Sequence, residues 1–517
     1  MTRACTSSLL LAIGAFVAFA AGCGSSGAGG GQGGTVGSGG SGPSASGGST
    51  GGSPSVTGSG GRGSGGVPAV GSGGSPTVGT GGGSGGYGGR GTAGAGAGGT
   101  ATAGSGGHSA GGAGGLPGGS SGGVPGGGST GTVTGGSEDD GVDCPVANLP
   151  DASSLQAIAK LPDPFTNLDG TRLSAKADWR CRREQIRKLA EKFAYGTKPP
   201  TPQTVTGSVS STSITIKVTD NGKSTTFSMP VKLPTGGTAP YPAIVVYGGA
   251  SFGAPLDSTV INSEGVALIN YDPYAVGKEG TGRANKQGAF YDIAGSNSTT
   301  GLLVAWGWGV SRIIDVVAQS DGKVLKADAI AVTGCSRFGK GAFIAGAFDQ
   351  RIPLTMPIES GTAGVPIWRN VNAEGGQTLS SAYGEQPWFG DAFSPFTSAP
   401  TKAPLDTHET VAMIAPRGLF IMDNPHIANL GPKSAHIAAL AGAEVYKALG
   451  AGDNITYYSD VQNGSHCSMR PEWSTPLKNN IEKFLKKTGN APGVIKASPS
   501  ASGNLADWRD WTTPTLN

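Results

Sequence analysis

Residues 329–346 read AIAVTGCSRFGKGAFIAG, and this stretch decides the fold. Ala329–Thr333 is a short run of apolar, largely β-branched residues, as a buried strand requires. Gly334-Cys335-Ser336 follows at once, and from about Phe338 the residues are small and helix-compatible. A strand that runs through Gly-x-Ser into a helix is the setting of a nucleophile elbow, whose tight turn demands small neighbours. The hydroxyl then stands at a helix N-terminus, where backbone N–H groups and the helix dipole stabilise an oxyanion. The spacing departs from the usual G-x-S-x-G, because the second glycine, Gly339, comes one place late.

Similar segments extend outward from the elbow. Ser213–Val218 and Thr225–Lys232 alternate like antiparallel strands. Tyr241–Tyr247 and Val266–Tyr271 are solid apolar runs, the mark of strands buried on both faces. Leu354–Ile358, Gly418–Met422 and Ile455–Tyr458 read as further strands. Helical spacing covers Leu302–Gln319, about Lys433–Leu449 and Thr475–Lys487, and Ser174 can cap a helix from about Ala175 to Tyr195 that ends at Gly196. Alternating strands and helices predict a mainly parallel sheet covered on both sides. With the elbow, this is an α/β-hydrolase, a three-layer sandwich.

The rest of the chain is of a different kind. Met1 to Cys23 has Arg3 and then the apolar run Leu9–Ala21, which has the proportions of a signal peptide. Two cleavage readings stand. Ala18-Phe19-Ala20 suits ordinary signal peptidase, whereas Ala20-Ala21-Gly22-Cys23 resembles a lipobox that would make Cys23 a lipidated N-terminus. Both predict a secreted or cell-surface protein in which disulfides are allowed. Residues 24–140 are dominated by Gly, Ser, Ala and Thr and account for most of the 95 glycines. Such a segment buries too little apolar surface to offset its ordering entropy, so it is expected to be a disordered tether. Its GxGxxG-like patterns are compositional and carry no phosphate-binding signal. Residues 141–517 form the expected esterase domain, long enough for one sizeable core. The net charge of +3 is spread along the chain without a basic run, which argues against nucleic acid and against electrostatic membrane binding.

A serine nucleophile needs a base and an acid, which this fold supplies in the order Ser, acid, His. Of the five histidines, His466 alone lies in a loop between the last strand and the last helix. Cys335 directly precedes Ser336 and Cys467 directly follows His466. If serine and histidine meet, their neighbours fall within disulfide reach. Of three connectivities for the four domain cysteines, this selects Cys335–Cys467 and leaves Cys144–Cys181. The acid stays open on order alone: Glu359 and Asp423 each end an apolar strand, and Asp460 is a weaker alternative.

AWGWGVSRIIDVV (305–317), VTGCSRFGKGA (332–342), PIESG (357–361), GEQPWF (384–389), IAPRGLFIMDN (414–424), LGP (430–432) and His466-Cys467 together resemble the glucuronoyl esterases of carbohydrate esterase family fifteen. The resemblance runs from about Cys144 to about Lys487. It implies cleavage of the ester between 4-O-methyl-glucuronic acid of glucuronoxylan and a lignin alcohol, and the family's cysteine pairing matches both bridges. Carried onto this chain, it makes Ser336 the nucleophile, His466 the base and Glu359 the acid. It gives Arg337 a share of the oxyanion, and gives Lys340, Gln377 and Glu385 the sugar hydroxyls. One position departs: the family commonly has a Trp shortly before LGP, and Asn429 stands there. Stacking on the sugar would then be weaker or fall to Trp368 or Trp388, and Ile427 and Ala428 supply no second acid.

The leading expectation is therefore a monomeric, cofactor-free serine esterase acting on a lignin–carbohydrate ester. No His/Cys/carboxylate group has metal-ligand spacing. Two alternatives remain: an esterase on other carbohydrate or uronate esters, and a tethered carbohydrate-binding protein. The presence of Ser336, Glu359 and His466 together disfavours the second.

Overall fold

The computed structural model describes residues 137–249 and 255–517. The leader, Cys23 and the tether up to residue 136 lie outside the described residues.

The chain enters through a 3₁₀ turn, Lys176–Asp178, into α1 (Trp179–Ala190), which widens into a π turn over Glu191–Tyr195 and stops at Gly196. Gly196 sits at φ 84° with Thr300 against it, so only glycine fits. Ser174 was expected to cap this helix, but no side chain caps α1, and Asp178 at its start bonds the preceding segment instead. Its carboxylate reaches back to the N–H groups of Ser174 and Ala175. Three antiparallel strands follow, β1 (Thr204–Val209), β2 (Ser213–Asp220) and β3 (Lys223–Lys232). Then come β4 (Tyr241–Tyr247), α2 (Ser258–Ser263), β5 (Ala267–Tyr271), α3 (Ala289–Ala294), α4 (Leu302–Gln319) and β6 (Leu325–Cys335). The elbow leads into α5 (Arg337–Phe348) and β7 (Leu354–Ile358). An excursion carries α6 (Trp368–Glu374), α7 (Leu379–Glu385) and α8 (Thr407–Ile414). The chain closes with β8 (Gly418–Met422), α9 (Pro432–Ala448), β9 (Ile455–Tyr458), α10 (Ser474–Phe484) and the short β10 (Ile495–Lys496).

The sheet order is β1-β2-β3-β5-β4-β6-β7-β8-β9-β10, parallel from β5 onward. The apolar runs read in the sequence are continuous because both faces are covered. Ala243, Val245, Ile330, Val332, Leu419 and Ile421 belong to the core that includes α1, α4, α5, α8 and α9. The alternate residues Ile244, Val246, Ala331, Met356 and Phe420 belong to a second core with Ile261 of α2 and Leu477 and Ile481 of α10. The period-2 geometry of strands makes this division. The apolar helix α4 is 89% buried, as a core helix is.

The folded domain starts earlier than the expected boundary at 141. Glu138 is buried and paired with Lys198, Arg312 and Arg351. Burial alone would push its carboxyl up, yet the three cations hold it down at about 2. The boundary at 141 falls just after a run of three acids, Glu138-Asp139-Asp140, whose local pattern carries no sign of the distant cations. Cys144–Cys181 then staples this entry segment to α1.

Candidate active site

Strand β6 ends at Cys335 and α5 starts at Arg337, so Ser336 is a single-residue hinge at φ 57°, ψ −126°. That left-handed backbone is strained for a residue with a Cβ. Its surroundings over-determine it: Ser336 N–H donates to Ile358 O at 2.9 Å, and Lys340 N–H donates to Ser336 O at 3.1 Å. The displaced second glycine now has a reason. A Cβ on Gly339 would stand 2.6 Å from Ile358 O, so α5 can lie against the end of β7 only with glycine there. The usual glycine position is taken by Phe338, whose ring covers Gly248 and packs against Tyr274 and Trp306.

Glu359 and Cys467 also have positive φ, at 44° and 54°. Strain thus gathers where the ends of β6 and β7 meet the loop after β9. His466 Nδ1 lies 2.6 Å from Glu359 Oε2, and Cys467 N–H donates to the same oxygen at 2.8 Å. Glu359 Oε1 accepts from Arg470 Nη2 and Asn424 Nδ2, each at 3.2 Å. Burial would raise this carboxyl, but these donors outweigh it and hold it below the usual range. A fully buried carboxylate is thereby kept ionised and aimed at the imidazole.

The rival acids do other things. Asp423, at the end of β8, is buried and pushed up to about 8 by desolvation and by the nearby Glu359 charge, so it is neutral at pH 7. It accepts from Asn424 N–H and lies 3.4 Å from the Tyr457 hydroxyl. Asp460 pairs with Lys496 at the surface. Cys335 and Cys467 are bridged, with Cα atoms 5.8 Å apart, which ties the serine turn to the histidine loop. Ser336 and His466 line one groove. Among the described residues no hydrogen bond joins Ser336 Oγ to the imidazole, a contact that often tightens only around substrate. The close grouping of Cys335, Glu359, His466 and Cys467 does not offer a metal site, since both sulfurs are in the disulfide.

Beyond the serine, Arg337 projects to Glu279 (2.7 Å) and Glu385 (3.5 Å), and its guanidinium is 5.7 Å from the centre of the Trp388 ring. Gln377 donates to Glu385 at 2.7 Å. Lys340 is buried, donates to Ser360 O at 2.5 Å and lies 5.0 Å from the Trp388 ring centre. Desolvation brings its amine down to about 7. Arg337, Lys340, Gln377 and Glu385 therefore form one polar cluster around Trp388. Trp368 is elsewhere, in the core against Tyr195, Phe389 and Phe393. Asn429 lies exposed on the 3₁₀ turn Ala428–Leu430, where its carbonyl accepts from Gln377 N–H.

Sequence reasoning missed Glu279. Its nearly buried carboxylate accepts from Arg337, from the Tyr274 hydroxyl at 2.9 Å and from Trp388 Nε1 at 2.6 Å. A lone acid in KEGTGR carries no local signal of that role.

A parallel sheet, a strained serine elbow and a Glu-oriented histidine after the last long strand define an α/β-hydrolase-fold carboxylic ester hydrolase. Residues 216–450 match the family model described as "Glucuronyl esterase, fungi". The 4-O-methyl-glucuronoyl methylesterase of Hypocrea jecorina is 38% identical over 374 residues, 71% of this chain and 79% of that protein. Its counterpart in Neurospora crassa is 37% identical over 381 residues, 72% of this chain and 93% of that protein. The solved glucuronoyl esterase catalytic domain from Hypocrea jecorina superposes with a TM-score of 0.66 at 37% identity, covering 71% of this chain and all of that one. The Sporotrichum thermophile enzyme, solved with methyl 4-O-methyl-beta-D-glucopyranuronate, gives 0.65 at 35%, covering 72% of this chain and all of that one. The chain belongs to the glucuronoyl esterase family, carbohydrate esterase family 15.

Proposed function

We propose that this protein hydrolyses the ester joining 4-O-methyl-glucuronic acid of glucuronoxylan to lignin alcohols, through a Ser336–His466–Glu359 triad. The observation that carries the reading is the 2.6 Å contact between His466 Nδ1 and an ionised, buried Glu359 beside the serine elbow. Glu359 fixes the tautomer that leaves Nε2 free as base. Ser336 Oγ attacks the ester carbon while its proton passes to His466 Nε2. The oxyanion is held at the N-terminus of α5 by the Arg337 N–H and by its guanidinium, which Glu279 keeps in place. His466 returns the proton to the departing alcohol, leaving an acyl-enzyme. Water then attacks it, giving a proton to His466, which passes it to Ser336 Oγ as the uronic acid leaves.

Lys340, Gln377 and Glu385 supply donors and acceptors suited to sugar hydroxyls. The ester complex of the Sporotrichum thermophile relative supports a uronate on the acyl side. Two disulfides fit an exported enzyme. Esterase action on other uronate or acetyl esters is a second reading, favoured by Asn429, which offers no ring for the sugar to stack on.

The test is hydrolysis of benzyl glucuronate by wild type and by Ser336→Ala, with an acetyl ester as control. Turnover that drops by about three or more powers of ten in the variant is expected. Acetyl ester cleavage without uronate turnover would reject the substrate and keep the triad.

A further inference from the structure

The polar cluster around Trp388 is carried in part by a weak element. Glu385 is the last residue of α7 (Leu379–Glu385), and Gln377, which donates to it, lies just before that helix. Seven residues are too few for a helix to hold itself together in water. Only Leu379 and Ala382 of α7 are buried, and Gly384 next to Glu385 lowers helix propensity further. The helix end is also short of donors. The carbonyl of Tyr383 would find its helical partner four residues on, where Pro387 stands without an N–H.

One side chain from a distant part of the chain supplies what is missing. Arg283 Nη2 donates to Tyr383 O at 2.7 Å, and Nη1 donates to Phe389 O at 2.9 Å and to Asp391 Oδ1 at 3.0 Å. The guanidinium lies 3.5 Å from the centre of the Tyr383 ring. A planar fork that bonds two carbonyls and a carboxylate while stacking on a ring is an arginine contact that lysine cannot reproduce. Its charge also faces the negative end of the helix dipole. Arg283 is itself held in place. Lys278 N–H donates to Gln287 O at 2.8 Å and closes the segment into a loop. Inside it, the buried Lys286 donates to Arg283 O at 2.6 Å and to Ser298 O at 2.7 Å. Gly280 N–H, from the same loop, donates to Gln386 Oε1 at 2.7 Å.

We infer that Arg283 is a positioning residue for the acyl side of the substrate: it fixes the C-terminal end of α7 and thereby aims Glu385 at the uronate. The inference rests on the proposed uronate substrate, and Arg283 acts through Glu385. Without the fork, α7 frays from its C-terminal end, and re-ordering it is added to the cost of every binding event. Ser336 stands on the separate β6–α5 turn, so affinity suffers more than the chemical step.

The test compares wild type, Arg283→Met and Arg283→Lys on benzyl glucuronate and on an acetyl ester, with amide hydrogen exchange read in parallel. Arg283→Met should raise KM for the uronate ester about tenfold, the order of one lost hydrogen bond to substrate, with a smaller change in kcat. The ratio of kcat/KM on uronate to that on acetate should fall by about as much. Exchange over residues 379–386 should speed up about tenfold or more, with β6 and β7 unchanged. Arg283→Lys keeps the charge without the fork and should lose most of the same affinity. An unchanged KM, or an equal fall in kcat/KM on both esters, overturns the positioning role. Wild-type affinity in Arg283→Lys overturns the fork as its cause. If wild type cleaves only the acetyl ester, the proposed substrate fails, and exchange over residues 379–386 still decides whether Arg283 fixes α7.

Discussion

Lys340→Met should make the protein more stable below neutral pH while impairing it as an enzyme. The amine is buried and desolvation lowers it from 10.5 to about 7. In the unfolded chain it titrates near 10.4. The folded state therefore resists the charge. The penalty is absent above the unfolded value, grows as pH falls from about 10.5 to 7, and is complete below about 7. At about 1.4 kcal/mol per unit it reaches roughly 5 kcal/mol. Methionine fills the same volume without the charge, but strands the Ser360 carbonyl that the amine bonds at 2.5 Å, at a cost of about 1–3 kcal/mol. The net gain at pH 6 is about 2–4 kcal/mol. At pH 9 the penalty has shrunk to about 2 kcal/mol and the gain vanishes. Calorimetry at pH 6 and pH 9 reads this directly, at roughly 2 °C per kcal/mol in a domain this size. A variant no more stable than wild type at pH 6, or a gain identical at both pH values, would refute a desolvated amine. Loss of uronate turnover beside the gain would mark Lys340 as held there for substrate.

Three other sites give predictions from contacts of their own. Glu279→Gln should lower kcat on benzyl glucuronate about ten- to a hundredfold with a smaller change in KM, because it loosens the guanidinium. Adding it to Arg337→Ala should then cost nothing more, and an additive double variant would show that Glu279 does not act through Arg337. Asn429→Trp should lower KM for the uronate ester about fivefold by offering the sugar a ring, and an unchanged KM would place the sugar away from this turn. Glu138→Ala should cost about 3–5 kcal/mol in denaturant unfolding, since Lys198 is left buried without its carboxylate and Arg312 keeps Asp315 alone. A loss under about 1 kcal/mol would mean the cations find water instead.

The sheet was legible where burial covers both faces of a strand. Tyr241–Tyr247, Leu354–Ile358, Gly418–Met422 and Ile455–Tyr458 have the limits that their apolar runs mark out, and so does the helix Leu302–Gln319. Strand β1 was not legible. TVTGSV is half polar, and its Gly207 is required because a Cβ there would meet Thr215 O of β2 at 2.1 Å and Val316 of α4 at 2.8 Å. Strand β10, two residues long, exists only through its pairing with β9. Helices α6, α7 and α8 lie in an excursion without sustained apolar periodicity, where tertiary contacts override weak local preference.

The sequence alone determined the fold class and both cysteine bridges, and it singled out the proposed serine and histidine. Each of these is written in short-range patterns: a strand run into Gly-x-Ser, and cysteines adjacent to the two residues that must meet. It left the acid open between Glu359 and Asp423, which both end buried strands, until the family resemblance pointed to Glu359. Tertiary structure separates the two by what surrounds them: four donors on one carboxylate, desolvation beside a like charge on the other. It also decided that Lys340 is a lowered amine, and that Glu279 meets an arginine 58 residues away and a tryptophan 109 residues away. Charge state and ion pairing depend on burial and on distances closed only by the fold, and no local pattern encodes either.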